Sequence, residues 1–285
     1  MIIVDYSGIS LAQVFSMKSG FQEATLRHLI LNSLRIYNLK YREEYGKMVI
    51  ALDGGAAWRK EIFEHYKAHR AKGRAESGLD WTELFRILNI IEEEVRQNFP
   101  YTMIGVRGCE ADDIIATLVE QTQEFGKNEP VMIISSDHDF VQLQRYKNVA
   151  QFSPLTRKLI REKDPVRQLR EKILRGDGGD GVPNVLSPGD SFVTGTRQNT
   201  LSQKKVDEMI ANWDNLEKFL PASTYQTFLR NQAMIDLSKI PVAIKEKIIN
   251  TYESTVPARS NVLNYLISHR CAQLIECAEE FQSKS

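Results

Sequence analysis

The sequence predicts an α/β protein: a doubly wound, mostly parallel sheet with a smaller, all-helical second domain. Three observations carry this. Four short apolar runs, IIV (2–4), MVIAL (48–52), YTMIGV (101–106) and VMIIS (131–135), lack the alternation of a half-exposed strand and read as strands buried on both faces. The stretches between them space apolar residues at three and four, as helices covering a sheet do. Beyond residue 140 the composition changes, with Pro154 and Pro165 bracketing a basic run, and from 201 onward only helical spacing remains, so a boundary is expected near 150, with domains at 1–150 and 151–285.

The first strand ends at Asp5, and a helix over 21–45 follows with Leu26, Leu29, Ile30, Leu34 and Tyr37 on one stripe. The second strand ends at Asp53, before Gly54-Gly55. A helix over 79–97 carries Leu84, Leu88, Ile91 and Val95 on one face, with Asp80 near its start. The third strand runs into the turn Glu110-Ala111-Asp112-Asp113, which opens another amphipathic helix, and the fourth ends in Asp137-His138-Asp139. Strand, helix and strand in succession form a right-handed parallel unit, so these strands discharge at one edge of the sheet.

Alone, Asp112 and Asp113 suit any helix N-terminus, and an aspartate after a strand is an ordinary turn former. Three strands ending in aspartate and a fourth entering an acidic turn favour a ligand site, because such sheets bind ligands outside the carboxyl ends of their strands. Clustered carboxylates repel one another unless cations or protons join them. An all-oxygen ligand set suits Mg²⁺ or Mn²⁺ and suits zinc poorly. An extended segment through 137–139 places both aspartates on one side and His138 on the other, so His138 is left out of the site.

Two regions are basic. Residues 59–74 hold Arg59, Lys60, Lys67, Arg70, Lys72 and Arg74 against Glu61 and Glu64. On a helix advancing about 100° per residue, Arg59, Lys60, Phe63, Tyr66, Lys67 and Arg70 share one arc. Such a face can pair with phosphates and stack on an unpaired base. A solvated charged helix with Phe63 and Tyr66 docked on the core explains it equally. Residues 157–175 carry a second basic excess, a candidate duplex-facing surface, and end in the loop RGDGGDG with Asp177 and Asp180. Glycines there permit close backbone approach, so this loop suits a phosphate, a cation or only a turn. Helical patterns then recur around 206–213, 225–234, 244–252 and 262–278.

Lys+Arg and Asp+Glu both total 37, so net charge predicts no partner. Cys109, Cys271 and Cys277 form no CxxC pair and fit a reducing compartment. The start, MIIVDYSG, lacks a signal peptide's basic region, and no apolar run reaches the roughly 18 residues of a membrane span. A soluble, intracellular protein is expected. No GxGxxG follows a strand, and GxxxxGK[ST] and GxSxG are absent, which removes the usual support for dinucleotide, P-loop and serine-hydrolase chemistry. Clustered carboxylates beside cations fit a polyanionic substrate, since two divalent ions can activate a water and stabilise the leaving oxygen of a phosphodiester.

Together, IVDYSGIS, IALDGGAAWRKEIFEHYKAHR, EADDIIATLV, IISSDHDFVQL and LRGDGGD resemble the 5′-nuclease (flap endonuclease) family, and within it the phage ribonuclease H branch. These matches run in family order across about the first 180 residues. The resemblance implies a PIN-like sheet domain and metal-dependent 5′-to-3′ hydrolysis of RNA/DNA and DNA/DNA duplexes near a 5′ end or flap. The implied role is removal of RNA primers in replication. Asp5, Asp53, Glu110, Asp112 and Asp137 would surround the first Mg²⁺, where hydrolysis occurs, with Asp113 beside them. Asp139, Asp177 and Asp180 would hold a second. Arg59, Lys60, Tyr66, Lys67 and Arg70 would belong to an arch at about 56–80 that engages the free 5′ strand, with Lys67 and Arg70 on the scissile phosphate. Single-strand-binding-protein and sliding-clamp contacts, a monomer and a host-cytoplasmic location are further family expectations.

The stretch after LRGDGGD departs from the family's glycine-rich helix-hairpin-helix, so lysine and arginine, Lys204 and Lys205 among them, are expected to hold the duplex instead. Two rivals stay open: a non-catalytic, structure-specific nucleic-acid binding module, and a metal-dependent phosphatase or transferase of the DxD type.

Overall fold

The computed structural model describes residues 1–17 and 20–282. In chain order its elements are β1 Ile2–Asp5, α1 Tyr6–Ser16, α2 Glu23–Tyr45, β2 Met48–Leu52, α3 Ala57–Ile62, α4 Arg70–Glu76, α5 Trp81–Asn98, β3 Thr102–Gly105, α6 Ala111–Gln123, β4 Val131–Ile134, β5 Val149–Ser153, β6 Lys158–Ile160, α7 Pro165–Arg175, α8 Ser191–Thr194, α9 Gln203–Ala211, α10 Leu216–Phe219, α11 Ala222–Ile235, α12 Val242–Ser254, α13 Val262–Ser268 and α14 Ala272–Ile275. No helix among the described residues is long and apolar enough to cross a membrane.

The six strands form one sheet in the order β3-β2-β1-β4-β5-β6. All pairs are parallel except β5 with β6. Every residue of β1, β2 and β4 is buried, which is why these strands are unbroken apolar runs. Val4 lies level with Ile50 on one side and Ile134 on the other, so the chain leaves β1, β2 and β4 at the same edge. The sheet also contains two strands that the pattern did not predict. In β5 the sequence VAQFS buries Gln151 and Ser153, and these polar residues interrupt the apolar signal.

The chain divides into two compact units, and the division differs from a single boundary near 150, which falls inside β5. One unit comprises Met1–Gly55, Asp80–Arg161 and Val242–Ser285; the other comprises Ala56–Leu79 and Glu162–Pro241. The last stretch therefore returns to the sheet unit. Phe99, fully buried, meets Tyr265 edge-on at 5.3 Å and Phe281 at 5.2 Å. Asn38 on α2 donates to the carbonyls of Glu280 and Gln282. Long-range packing of this kind is invisible to a reading of local spacing.

In the second unit α7 packs on α9 and α11, and Ile173, Leu174, Val206, Phe228 and Met234 on these helices are buried. Asn231, fully buried, donates to the carbonyls of Ile173 and Pro183 and joins α11 to α7 and the loop that follows it. The segment 59–74 is not one helix. It breaks after α3 at Phe63, whose backbone is extended, and again at Lys67, whose φ of +56° lies in the left-handed region. That conformation costs a non-glycine residue about 1–2 kcal/mol, so tertiary contacts must hold it. The shared cationic arc of the helical wheel is replaced by a folded-back turn.

Removing the Phe281 ring should leave a cavity against Phe99. Phe281→Ala is expected to destabilise the protein by about 3–5 kcal/mol, read as a lower denaturant midpoint. A loss below about 1 kcal/mol would show that the C-terminal return does not hold the sheet unit together.

Candidate metal centre

At the carboxyl edge of the sheet, Asp5 closes β1 and caps α1. Its Oδ1 accepts the Gly8 amide at 2.8 Å and its Oδ2 accepts the Ser135 hydroxyl at 2.8 Å. Ser135, which follows β4, also accepts the Asp137 amide at 3.1 Å, so a single hydroxyl ties Asp5 to Asp137. Asp137 in turn caps a 3₁₀ turn, His138–Arg145, with its Oδ1 accepting the Asp139 amide at 2.8 Å. The segment 137–139 is therefore not an extended strand, and the argument that set His138 apart by strand alternation does not apply. His138 is exposed.

Asp53 is joined to the neighbouring acidic turn in the same way. Its Oδ1 accepts the Ala111 amide at 2.9 Å, and its Oδ2 accepts the Ser7 hydroxyl at 2.6 Å. Gly54 makes this approach feasible: a Cβ there would lie 2.1 Å from the Val106 carbonyl oxygen. The Gly54 amide donates to Cys109 O and its carbonyl accepts from Gly108 N. The turn delivers Glu110 and Asp112 at the start of α6. Asp113 has another part: it is fully buried in a capping box in which its Oδ2 accepts the Glu110 amide at 2.9 Å and the Glu110 carboxylate accepts the Asp113 amide. Asp113 thus shapes the turn.

Burial pushes the Asp5 carboxyl up to about 6, and the charges of Asp53 and Asp137 add to that against the hydrogen bonds from Gly8 and Ser135. An oxygen-only group in which neighbouring carboxylates raise the proton affinity of Asp5 fits a hard divalent ion, which would take the place of that proton. The donors that hold Asp5 and Asp53 are neutral amides and hydroxyls. Sequence reasoning missed Ser7, Ser135 and Gln151. Gln151, fully buried on β5, donates to the carbonyls of Ser135 and Asp137. A glutamine inside an apolar run was the available signal.

In the second unit, the loop after α7 is built on Gly176, whose φ is +75° and whose Cβ would lie 2.2 Å from Val182 O. Asp177 and Val182 exchange backbone hydrogen bonds at 2.7 and 2.8 Å. Burial opposes ionisation of Asp177, yet Lys172, 2.7 Å from its Oδ2, and the Asp180 and Gly179 amides hold its carboxyl below the usual range. Asp180 is held from the arch segment: the Tyr66 hydroxyl donates to Oδ2 at 2.8 Å, Arg70 Nη2 to Oδ1 at 2.7 Å, and Lys67 Nζ stands 3.5 Å from Oδ1. The Lys67 amide donates to Asp180 O at 2.8 Å, which fixes the left-handed turn. Asp139 lies in the sheet unit, whereas Asp177 and Asp180 lie in the helical one.

The remaining residues expected at a nucleic-acid surface fall into two groups. Lys60, Arg70, Lys204 and Lys205 are exposed, with the last two in the first turn of α9, where the helix dipole favours acids over bases. Arg59 and Tyr66 are buried, 2% and 1% exposed, and this corrects their expected place on an open face. The Arg59 guanidinium lies over the rings of Trp58 and Tyr66, so neither Arg59 nor Tyr66 offers a stacking platform to a base. The stretch after the loop contains one short helix, α8. It is pinned by Asn184, Ser187, Gln198 and Asn199 and forms no helix-hairpin-helix.

Asp5 gives the centre a pH signature. Its folded value lies above the ordinary 3.8, so its contribution to stability is complete below pH 3.8 and is lost as pH rises through about 6. With chelator present, Asp5→Asn should remove a loss of about 3 kcal/mol across that window, measured as the difference in unfolding free energy between the two proteins at pH 4 and 7. An unchanged difference at both pH values would contradict the placement of Asp5.

Residues 6–172 match the family described as 5′-3′ exonuclease, N-terminal resolvase-like domain, and residues 165–281 match one described as T4 RNase H, C terminal. Ribonuclease H of enterobacteria phage T4 is 32% identical over 98% of this chain and 95% of its own length. DNA polymerase I of Chloroflexus aurantiacus is 28% identical over 68% of this chain, which spans 20% of that enzyme. In structure the chain is similar to the bacteriophage T5 D15 flap endonuclease, solved with DNA and metal ions, at a TM-score of 0.58 and 19% identity over 89% of this chain and 99% of that one. That likeness is one of fold.

Proposed function

The chain belongs to the 5′-3′ exonuclease family and is a nuclease of the ribonuclease H and flap endonuclease type, and from that premise we propose how its residues divide the work. The observations that carry the reading are two linkages at the carboxyl edge of the sheet: the Ser135 hydroxyl ties Asp5 to Asp137, and the Ala111 amide ties Asp53 to the Glu110–Asp112 turn. Asp5, Asp53, Glu110, Asp112 and Asp137 hold a first divalent ion, Mg²⁺ with Mn²⁺ as a substitute, and Asp177 and Asp180 hold a second. Bound there, the ions supply an activated water and charge for the leaving oxygen of a phosphodiester.

Lys67 and Arg70 bind the scissile phosphate, and Asp112 and Asp137 are the carboxylates that would hold the first ion beside the reacting oxygens. The substrates are RNA/DNA and DNA/DNA duplexes with 5′ ends or flaps, and the role is removal of RNA primers in replication. The sheet unit performs the hydrolysis. The helical unit holds the duplex, with Lys60, Lys204 and Lys205 against the phosphate backbone and Arg59 and Tyr66 supporting the arch from within. The T4 enzyme named above is a phage protein, which supports action in the host cytoplasm. Action as a monomer, together with a single-strand-binding protein and a sliding clamp, completes the proposal.

A 5′-labelled flap oligonucleotide tests the assignment. The wild type should release short 5′ products with Mg²⁺ and none with chelator, and Asp137→Asn should stop cutting while leaving substrate affinity in place. A wild type that binds without cutting would point to a non-catalytic binding module. Turnover of a small phosphomonoester or sugar nucleotide instead would point to a phosphatase or transferase. Replacing Lys204 and Lys205 with alanine should weaken duplex binding and reduce the slope of log affinity against log salt by about two; an unchanged slope would remove both from the interface.

A further inference from the structure

The two cations assigned to the scissile phosphate both pair with one side chain, and it is a carboxylate assigned to the second ion. Asp180 Oδ1 is shared by Arg70 at 2.7 Å and Lys67 at 3.5 Å, and its Oδ2 accepts the Tyr66 hydroxyl at 2.8 Å. Arg70 Nε donates in addition to the Gly179 carbonyl at 2.9 Å. These contacts are made by the Asp180 side chain, which is only 15% exposed, so they compete directly with any ion for both of its oxygens. Lys172 holds the same relation to Asp177 Oδ2.

We propose that Lys67 and Arg70 act as resident counter-ions of Asp180, that a divalent ion displaces them, and that second-site occupancy thereby frees the arch cations for phosphate. The inference rests on the metal-nuclease reading above and adds a regulatory coupling to it. The side chains change partner in one exchange: Asp180 trades two organic cations for one inorganic cation, and the displaced ammonium and guanidinium take up an incoming phosphodiester. The arch is thus closed onto the loop without the ion and released with it. This order discourages productive phosphate contact before the metal is in place. The left-handed backbone at Lys67, fixed by the hydrogen bond from its amide to Asp180 O, belongs to the closed arrangement.

Mg²⁺ titration by calorimetry, without nucleic acid, tests this on the full chain. Asp180→Asn should remove one class of sites and identify it as the second. Arg70→Gln should tighten that class by about two- to five-fold, the scale expected for loss of one competing, half-exposed ion pair, while the other class stays as in the wild type. Limited trypsin digestion gives a second readout: cleavage after Lys67 and Arg70 should accelerate with Mg²⁺ in the wild type and be fast without Mg²⁺ in Asp180→Asn. Weaker Mg²⁺ binding by Arg70→Gln would mean that the bridge props Asp180 for the ion, and unchanged binding would mean that the two do not compete. Either result, or cleavage indifferent to Mg²⁺, overturns the coupling. Absence of any Mg²⁺ heat in the wild type would instead overturn the metal-nuclease reading itself.

Discussion

The constraint on which the site depends is the parallel register of β2, β1 and β4. Neighbouring strands lie about 4.8 Å apart, and Val4 is level with both Ile50 and Ile134. The residues that follow, Asp5, Asp53 and the Ser135–Asp137 segment, are therefore delivered together whether or not their charges favour it. Water-mediated relief is limited for Asp5, which is buried, and its carboxyl responds with a raised proton affinity. The buried apolar strands β2, β1 and β4 provide the packing that keeps such like charges near one another, and the neutral donors from Ser7, Ser135, Gly8 and Ala111 fix their orientation without cancelling their charge. The edge is in this sense prepared for a hard cation before one arrives.

The acidic loop of the second unit solves the same electrostatic problem differently. There Lys172, Lys67 and Arg70 neutralise Asp177 and Asp180 with organic cations. A buried or half-buried carboxylate with a strong ion pair is comfortable without metal, which makes it a weaker ligand in isolation. Under the proposed reading the contrast gives the two sets of carboxylates different tasks: the sheet edge would keep its affinity for metal, and the loop would exchange partners.

Much of this was legible in the sequence, for physical reasons that can be named. A parallel strand covered on both faces must be apolar, so β1, β2 and β4 announce themselves, and so do the aspartates that end or follow them. The polar strand β5 did not, because Gln151 is buried to satisfy the Ser135 and Asp137 carbonyls, a need created by tertiary structure. The helical wheel over 59–74 failed at Lys67, where a hydrogen bond to a residue more than a hundred positions away outweighs local helical preference. The wheel put Arg59 on the open arc and left Tyr66 either there or docked on the core; burial beside Trp58 and Asp180 makes both of them supports for the turn. The division into units was hidden because the chain leaves the sheet unit at residue 56, returns, leaves again and returns a last time.

The most direct test of the central claim is anomalous diffraction from crystals of the protein soaked in Mn²⁺. The account predicts a strong peak among the carboxylates of Asp5, Asp53, Glu110, Asp112 and Asp137, at the carboxyl edge of the sheet. Manganese bound elsewhere, with those carboxylates bare, would contradict it.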